Sequence, residues 1–237
     1  MPKAIIFDLD DTIVAYDTVT ASVWGDVCRR FAPAEGLDAE KLLETIMSAG
    51  NWYWGDPERH RQGRLKLPEA RREVVRIAFN RLGLDSSELA DTIADTYTVE
   101  REEAAFIIPE AIPTLERLKD QGIRLALITN GMSIIQRAKL KRFNLEPFFE
   151  SIIVEGEFGA GKPDNSVFLH TLEKLNVKSS EAWMVGDDLE RDIAPCLEMG
   201  IYAIWVDRRG TGLSVSGIVK PDAIVSSINE IFKIIQV

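Results

Sequence analysis

The sequence predicts a doubly wound α/β fold: a parallel sheet with helices on both faces, three layers deep (αβα), and an all-helical domain inserted after the first strand. Two observations carry this expectation. Short apolar, β-prone runs recur along the chain, each followed at once by a polar turn and then by a helical pattern. Between the first two runs lie about 90 residues of helical periodicity with little strand signal. That is far more than the dozen or so residues a crossover needs.

The first run, Ala4 to Phe7, is apolar throughout, as a strand buried on both faces should be, and it meets Asp8 directly. The insert then offers candidate helices Thr20 to Phe31, Asp38 to Ala49, Pro68 to Leu82 and Ser86 to Glu103. Pro33 and Gly36 break the chain before the second, and Leu89, Ile93 and Tyr97 form one stripe on the fourth. The expected domains are residues 17–106 for the insert, and 1–16 with 107–237 for the core. In the core, a helix over Pro113 to Lys119 precedes a strand, Ile123 to Ile128, that stops at Thr129-Asn130-Gly131. Ser133 is a suitable N-cap for a helix running to Phe143. Ser151 to Val154 reads as a strand leading into Glu155-Gly156, and Asn165 to Leu175 as a helix. Ala182 to Val185 is a strand ending at Gly186-Asp187, and Ile201 to Val206 one ending at Asp207. The helix between them, Leu189 to Met199, contains Pro195 and should kink or break there.

A chain of 237 residues can bury a sizeable core without disulfides or structural metal. With 46% hydrophobic and 28% charged residues it belongs to none of the disordered or low-complexity classes. Its 28 Lys and Arg against 38 Asp and Glu give a net charge of −10, which argues against a nucleic-acid polymer or an anionic membrane as partner. Cys28 and Cys196 lack CxxC partners and only two His are present, so neither a zinc site nor a disulfide framework is expected. An acid at position 8 interrupts any signal-peptide core, and no run approaches the ~18 apolar residues of a membrane span. The expectation is a cytoplasmic protein whose partner is a small molecule.

Chemistry is concentrated at four places. Asp8-Leu9-Asp10-Asp11-Thr12 puts three acids within four positions after a buried strand. Converged at a strand end, they call for a compensating cation, and Mg²⁺ is the hard, oxygen-loving candidate. A polar turn with a side-chain cap would carry the same residues. Thr129 and Asn130 offer a hydroxyl and backbone N–H groups to an anionic oxygen, though Thr-Asn-Gly is also a loop signal. Lys162 lies in the constrained loop Gly159-Ala160-Gly161-Lys162-Pro163. Gly186-Asp187-Asp188-Leu189-Glu190-Arg191-Asp192 opens a helix with three aspartates where capping needs one.

Taken in order, Asp-x-Asp-x-Thr, Thr, Lys-Pro and Gly-Asp-x-x-x-x-Asp resemble the motif set of the haloacid dehalogenase superfamily of phosphohydrolases. The motifs span Asp8 to Asp192, and the insert resembles that superfamily's helical cap on a Rossmann-like core. The resemblance implies a Mg²⁺-dependent phosphohydrolase acting on small phosphate monoesters through an aspartyl-phosphate. Asp8 would be the nucleophile and Asp10 the acid that becomes a base. The Asp8 carboxylate, the Asp10 backbone carbonyl and Asp187 would hold Mg²⁺. Thr129, an N–H of Asn130 or Gly131, and Lys162 would bind the transferring group, with Asp188 and Asp192 orienting metal waters or Lys162. Dehalogenating members resemble Asp-x-Tyr at the first motif, so Asp10 argues against that activity. Sugar-phosphate mutases share the second acid and stand as the alternative. Phospho-accepting receiver domains resemble the chain less, being about half its length with no such insert.

Within the insert, Asn51 to Arg61 is aromatic and basic, and Asp56 to Leu82 carries eight Lys or Arg against four acids. Two readings stay open. Arg59 or Arg61 meets an anionic substrate while Trp52 or Trp54 packs on its skeleton. Alternatively, the aromatics anchor a small helical core beneath a solvated basic face.

Overall fold

A computed structural model describes residues 1–213 and 219–235. The chain divides into two compact units, one of Met1–Ala15 with Ile107–Val237 and one of Tyr16–Phe106. In chain order, β1 (Ala4–Phe7) and the short β2 (Val14–Ala15) lead into the helical unit. That unit contains α1 (Thr20–Phe31), α2 (Ala39–Trp54), α3 (Pro57–Gly63), α4 (Leu67–Leu82) and α5 (Ser87–Ala104). After β3 (Phe106–Ile107), the chain alternates through α6 (Ala111–Asp120), β4 (Arg124–Thr129), α7 (Ser133–Arg142), β5 (Ser151–Val154), α8 (Glu155–Phe158) and α9 (Asn165–Lys174). It ends with β6 (Ala182–Gly186), α10 (Ala194–Glu198), β7 (Tyr202–Val206), β8 (Ala223–Val225) and α11 (Ile231–Ile235).

Six strands form one sheet in the order β5-β4-β1-β6-β7-β8, with every pair parallel. The chain builds outward from β1 in one direction through β4 and β5, then returns past β1 to build in the other. β1 therefore sits at the switch point, where the crevice at the carboxyl ends of the strands opens. Register makes this concrete. Phe7 lies opposite Leu127 on one side and Val185 on the other, so Asp8, Thr129 and Asp187 all emerge at the same edge. Asp8 is held there by its N–H, which donates to the Val185 carbonyl at 3.0 Å. One face of the sheet is covered by a core that includes Ile6, Ile128, Phe168, Met184 and Cys196, all buried.

The helical unit has its own core, from Val23, Val27, Leu42, Ile46, Val75, Phe79 and Ile93 to a stacked pair, Trp24 and Tyr97, with centroids 3.7 Å apart. α2, α3 and α5 start where side chains accept free N–H groups of the first turn. Asp38 accepts from Lys41 N, Asp56 from Arg59 N and Ser86 from Leu89 N. α4 ends at Gly83, whose φ of 72° suits the left-handed C-cap position.

Several boundaries differ from those expected. α2 continues five residues past Ala49 to Trp54, and the basic stretch after it forms α3. The N-cap of α7 is Met132, not Ser133, whose hydroxyl instead donates to Glu157. The break at Pro195 is a wide π-type turn over Leu189–Ile193, followed by α10 with the proline in its first turn. Proline lacks the N–H that would continue the ladder, and a wide turn absorbs the mismatch. β8 and α11 were not anticipated.

Candidate active site

The first motif forms a tight loop. The Leu9 carbonyl accepts from both Ile13 N and Val14 N, and Asp11 takes a left-handed φ of 58° that Asp tolerates. This fold-back leaves Asp8 buried at the sheet edge and the Asp10 side chain partly exposed.

Lys162 reaches Asp8 because its loop is clamped. The Asn130 side chain donates from Nδ2 to the Lys162 carbonyl at 2.7 Å and accepts from the Lys162 N–H at 2.8 Å. Gly161 is required just before it, since a Cβ there would lie 2.5 Å from the Glu155 carboxyl carbon and 2.7 Å from Asn130 Oδ1. The Lys162 ammonium, 2% exposed as a residue, pairs with Asp8 Oδ1 and, at 2.6 Å, with Asp192 Oδ1. Asp192 also accepts from the Asp188 N–H at 3.1 Å. Its carboxylate packs so closely on Gly186 that no Cβ fits at that position.

Asp8, Asp187 and Asp192 bring carboxylate oxygens within 4.8 Å of one another. Burial raises the Asp187 carboxyl to about 9, reinforced by the charges of Asp8, Asp192 and Asp11, and Lys162 only partly opposes this. Burial also raises Asp8, to about 7, against the pull of Lys162. Burial works against the Lys162 charge as well, but Asp192 and Asp8 outweigh it and leave the ammonium strongly protonated. Three carboxyls beside one ammonium, with Asp8 and Asp192 buried and Asp187 on the open side of the cluster, leave the site short of positive charge. An all-oxygen donor set of that kind fits a hard divalent cation.

Asp10 is gripped by two residues that sequence reasoning missed, Gln136 and Lys139 on α7. Lys139 Nζ lies 2.8 and 2.9 Å from the two Asp10 oxygens. Gln136 Nε2 donates to Asp10 Oδ2 at 3.0 Å, to the Asn130 carbonyl at 2.9 Å and to Thr129 Oγ1. Thr129, itself buried, thus keeps its own O–H free to donate.

Two of the expected site groups already have partners. The Gly131 N–H donates to buried Glu155 Oε2 at 2.8 Å. Asp188 accepts from Glu190 N and Arg191 N and pairs with the Arg191 side chain, so its carboxylate is engaged in capping the turn. Asp192 does contact Lys162, and it also belongs to the carboxylate cluster.

In the helical unit, Arg59 stacks on the Trp52 ring at 3.9 Å and donates to the carbonyls of Trp52 and Tyr53, satisfying the open end of α2. Arg61 pairs with Glu58 at 2.6 Å. Trp54 packs edge-on to Tyr53 and His60, while Trp52 is 52% exposed. These contacts occupy Arg59, Arg61 and Trp54 within the helical unit, as the second of the two sequence readings expects, but Trp52 lies at the surface under Arg59 and not in a core. Among the described residues, no helix is long and apolar enough to cross a membrane.

The family model of the haloacid dehalogenase-like hydrolases matches residues 2–200. A phosphoserine phosphatase of Thermus thermophilus is 32% identical, with 97% of this chain and 98% of the relative covered. A glyceraldehyde 3-phosphate phosphatase of Pyrococcus furiosus is 39% identical over 86% of this chain and 80% of its own. The solved structure of a HAD phosphatase from Thermococcus onnurineus superposes with a TM-score of 0.64 at 26% identity, covering 98% of this chain and 97% of that one. With the motif loops gathered at one sheet edge and this match across most of its length, the chain belongs to the haloacid dehalogenase-like hydrolases.

Proposed function

We propose that this protein is a Mg²⁺-dependent phosphatase of small phosphate monoesters, working through an aspartyl-phosphate on Asp8. The convergence of Asp8, Asp187 and Asp192 around Lys162, beside Thr129 and Asp10, is the observation that carries the reading. Relatives named as phosphoserine and glyceraldehyde 3-phosphate phosphatases support a small phosphorylated metabolite as substrate.

The Asp8 carboxylate, Asp187 and the Asp10 backbone carbonyl would hold Mg²⁺, with Asp192 at hand in the same cluster. When bound, the ion supplies positive charge that lets an anionic nucleophile approach an anionic phosphoryl group. An Asp8 oxygen forms a bond to phosphorus as the ester P–O bond breaks, and Asp10 gives its proton to the departing oxygen. A water then attacks phosphorus and passes a proton to Asp10. The Asp8–phosphorus bond breaks, inorganic phosphate leaves, and both carboxyl groups return to their starting states. Thr129 Oγ1, the Asn130 N–H and Lys162 hold the transferring oxygens in line throughout.

The test is phosphate release from phosphoserine, glyceraldehyde 3-phosphate and a wider panel of phosphorylated metabolites, with p-nitrophenyl phosphate as reference. We expect Mg²⁺-dependent turnover, lost in EDTA, with at least one metabolite exceeding the reference. No Mg²⁺-dependent phosphate release from any ester, or phosphosugar isomerisation without free phosphate, would count against the assignment.

Metal and protons should compete. The Asp8 and Asp187 carboxyls are raised from an ordinary 3.8 to about 7 and about 9, so at pH 6 to 9, above the range in which the lowered surface carboxyls titrate, these two positions hold more protons in the folded metal-free protein than in the unfolded chain. Its stability should therefore fall as pH rises through that window. Because the cation binds the ionised groups, its stabilising effect should grow over the same range. Thermal unfolding at pH 6 and pH 9, with EDTA or Mg²⁺, measures both, and Asp187→Asn should flatten the EDTA slope. A Mg²⁺-induced shift in Tm that is independent of pH would contradict the carboxylate cluster as the binding site.

A further inference from the structure

α7 is built the wrong way round for a surface helix. Ile134 is 74% exposed, while Gln136 and Lys139 are 2% and 4% exposed and share the inward stripe with Leu140. Burying a lysine and a glutamine is unfavourable unless their polar atoms find partners. Here those partners are in the candidate active site. Lys139 Nζ meets both oxygens of Asp10 at 2.8 and 2.9 Å, which fixes the rotation of the carboxylate about its own axis. Gln136 Nε2 ties Asp10 Oδ2, at 3.0 Å, to Thr129 Oγ1 and the Asn130 carbonyl. The side chain of Asp10 remains 27% exposed, so one edge of it can be reached from solvent.

We propose that Lys139 and Gln136 are positioning residues for Asp10, holding its carboxylate in register with the phosphoryl group bound at Thr129. This rests on reading Asp10 as the group that exchanges a proton with the leaving oxygen. Both residues sit on one turn of a single helix, so the line from Thr129 to Asp10 is braced by helical backbone as well as by the motif loop. Proton-transfer catalysis is worth about 10²–10⁴-fold and depends on this alignment. Loss of the grip should matter most where the leaving oxygen needs a proton most.

The experiment compares phenyl, p-nitrophenyl and 2,4-dinitrophenyl phosphates with Mg²⁺, using wild type, Lys139→Met, Lys139→Arg, Gln136→Leu and Asp10→Asn. For Lys139→Met we expect kcat/KM to fall about 100-fold on phenyl phosphate but less than about 10-fold on 2,4-dinitrophenyl phosphate. The dependence on leaving group should then steepen toward that of Asp10→Asn. Lys139→Arg should recover part of the loss, and Gln136→Leu should show a smaller change in the same direction, so the inference stays testable if Lys139→Met does not fold. A loss equal across the three esters, or none, would overturn it. Wild type that turns over no ester in Mg²⁺ would instead sink the phosphatase reading, and this inference with it.

Discussion

Asp8→Asn should abolish turnover and at the same time make the metal-free protein more stable. The residue is buried at the end of β1, with Asp187 and Asp192 oxygens close by, and burial holds its carboxyl at about 7 despite the Lys162 ammonium. Above that pH its charge is retained at a cost, the kind of strain active sites keep for function. Asparagine keeps the shape and removes the charge. The folded carboxyl lies above its unfolded value, so the cost is absent near pH 4, grows through pH 7 and is complete by pH 8. The gain there should be about 1–2 kcal/mol, a figure lowered because Lys162 keeps only Asp192 as partner. With Asp8 as the proposed covalent nucleophile, activity should fall by at least about 10³-fold, because an amide cannot take over that role. Denaturant melts in EDTA at pH 5 and pH 8, beside phosphate-release assays, read both effects. Turnover within tenfold of wild type would remove Asp8 from the nucleophile's role, whatever the melts showed.

The parts of this protein that were legible in its sequence are those in which local pattern and tertiary role coincide. β1, β4, β5, β6 and β7 are apolar runs because a parallel sheet buries both faces, and the motif residues follow directly at their carboxyl ends. β8 escaped notice because it is a three-residue edge strand with Ile224 half exposed, too short to leave a pattern. α7 was legible as a helix, but its inward face was not. Apolar periodicity points to Ile134, whereas the helix buries Gln136, Lys139 and Leu140 at positions i, i+3 and i+4. That polar stripe was present in the sequence as a signal, but only a structure reveals that Asp10 lies opposite. Gly131 and Asp188 show a different limit. Whether an N–H or a carboxylate is free for a ligand depends on partners elsewhere, and for Gly131 the partner is Glu155, 24 positions along the chain.

Lys162→Met should be the most destabilising of the substitutions considered in this site. Among the described residues, Lys162 is the cation paired with two of the three clustered carboxylates, and it is almost wholly buried. Methionine matches its length and apolar stem but leaves Asp8, Asp187 and Asp192 facing one another without compensation. Removing one partner from a buried ion pair costs about 3–5 kcal/mol, because the remaining charge is stranded in low dielectric. Asp8 and Asp187, whose carboxyls are already raised, can escape by taking up protons, so the loss should be largest at pH 8 and shrink as pH falls toward 5. A divalent cation supplies the missing charge by another route. Mg²⁺ should therefore raise the Tm of the variant by more than it raises that of wild type. Phosphatase activity in saturating Mg²⁺ should still fall by about 10²–10³-fold, since in the proposed reaction the ammonium would also hold the transferring oxygens. Urea unfolding at both pH values, with and without Mg²⁺, separates these contributions. A variant as stable as wild type at pH 8 in EDTA would mean that the three acids do not share the charge-deficient site derived for them.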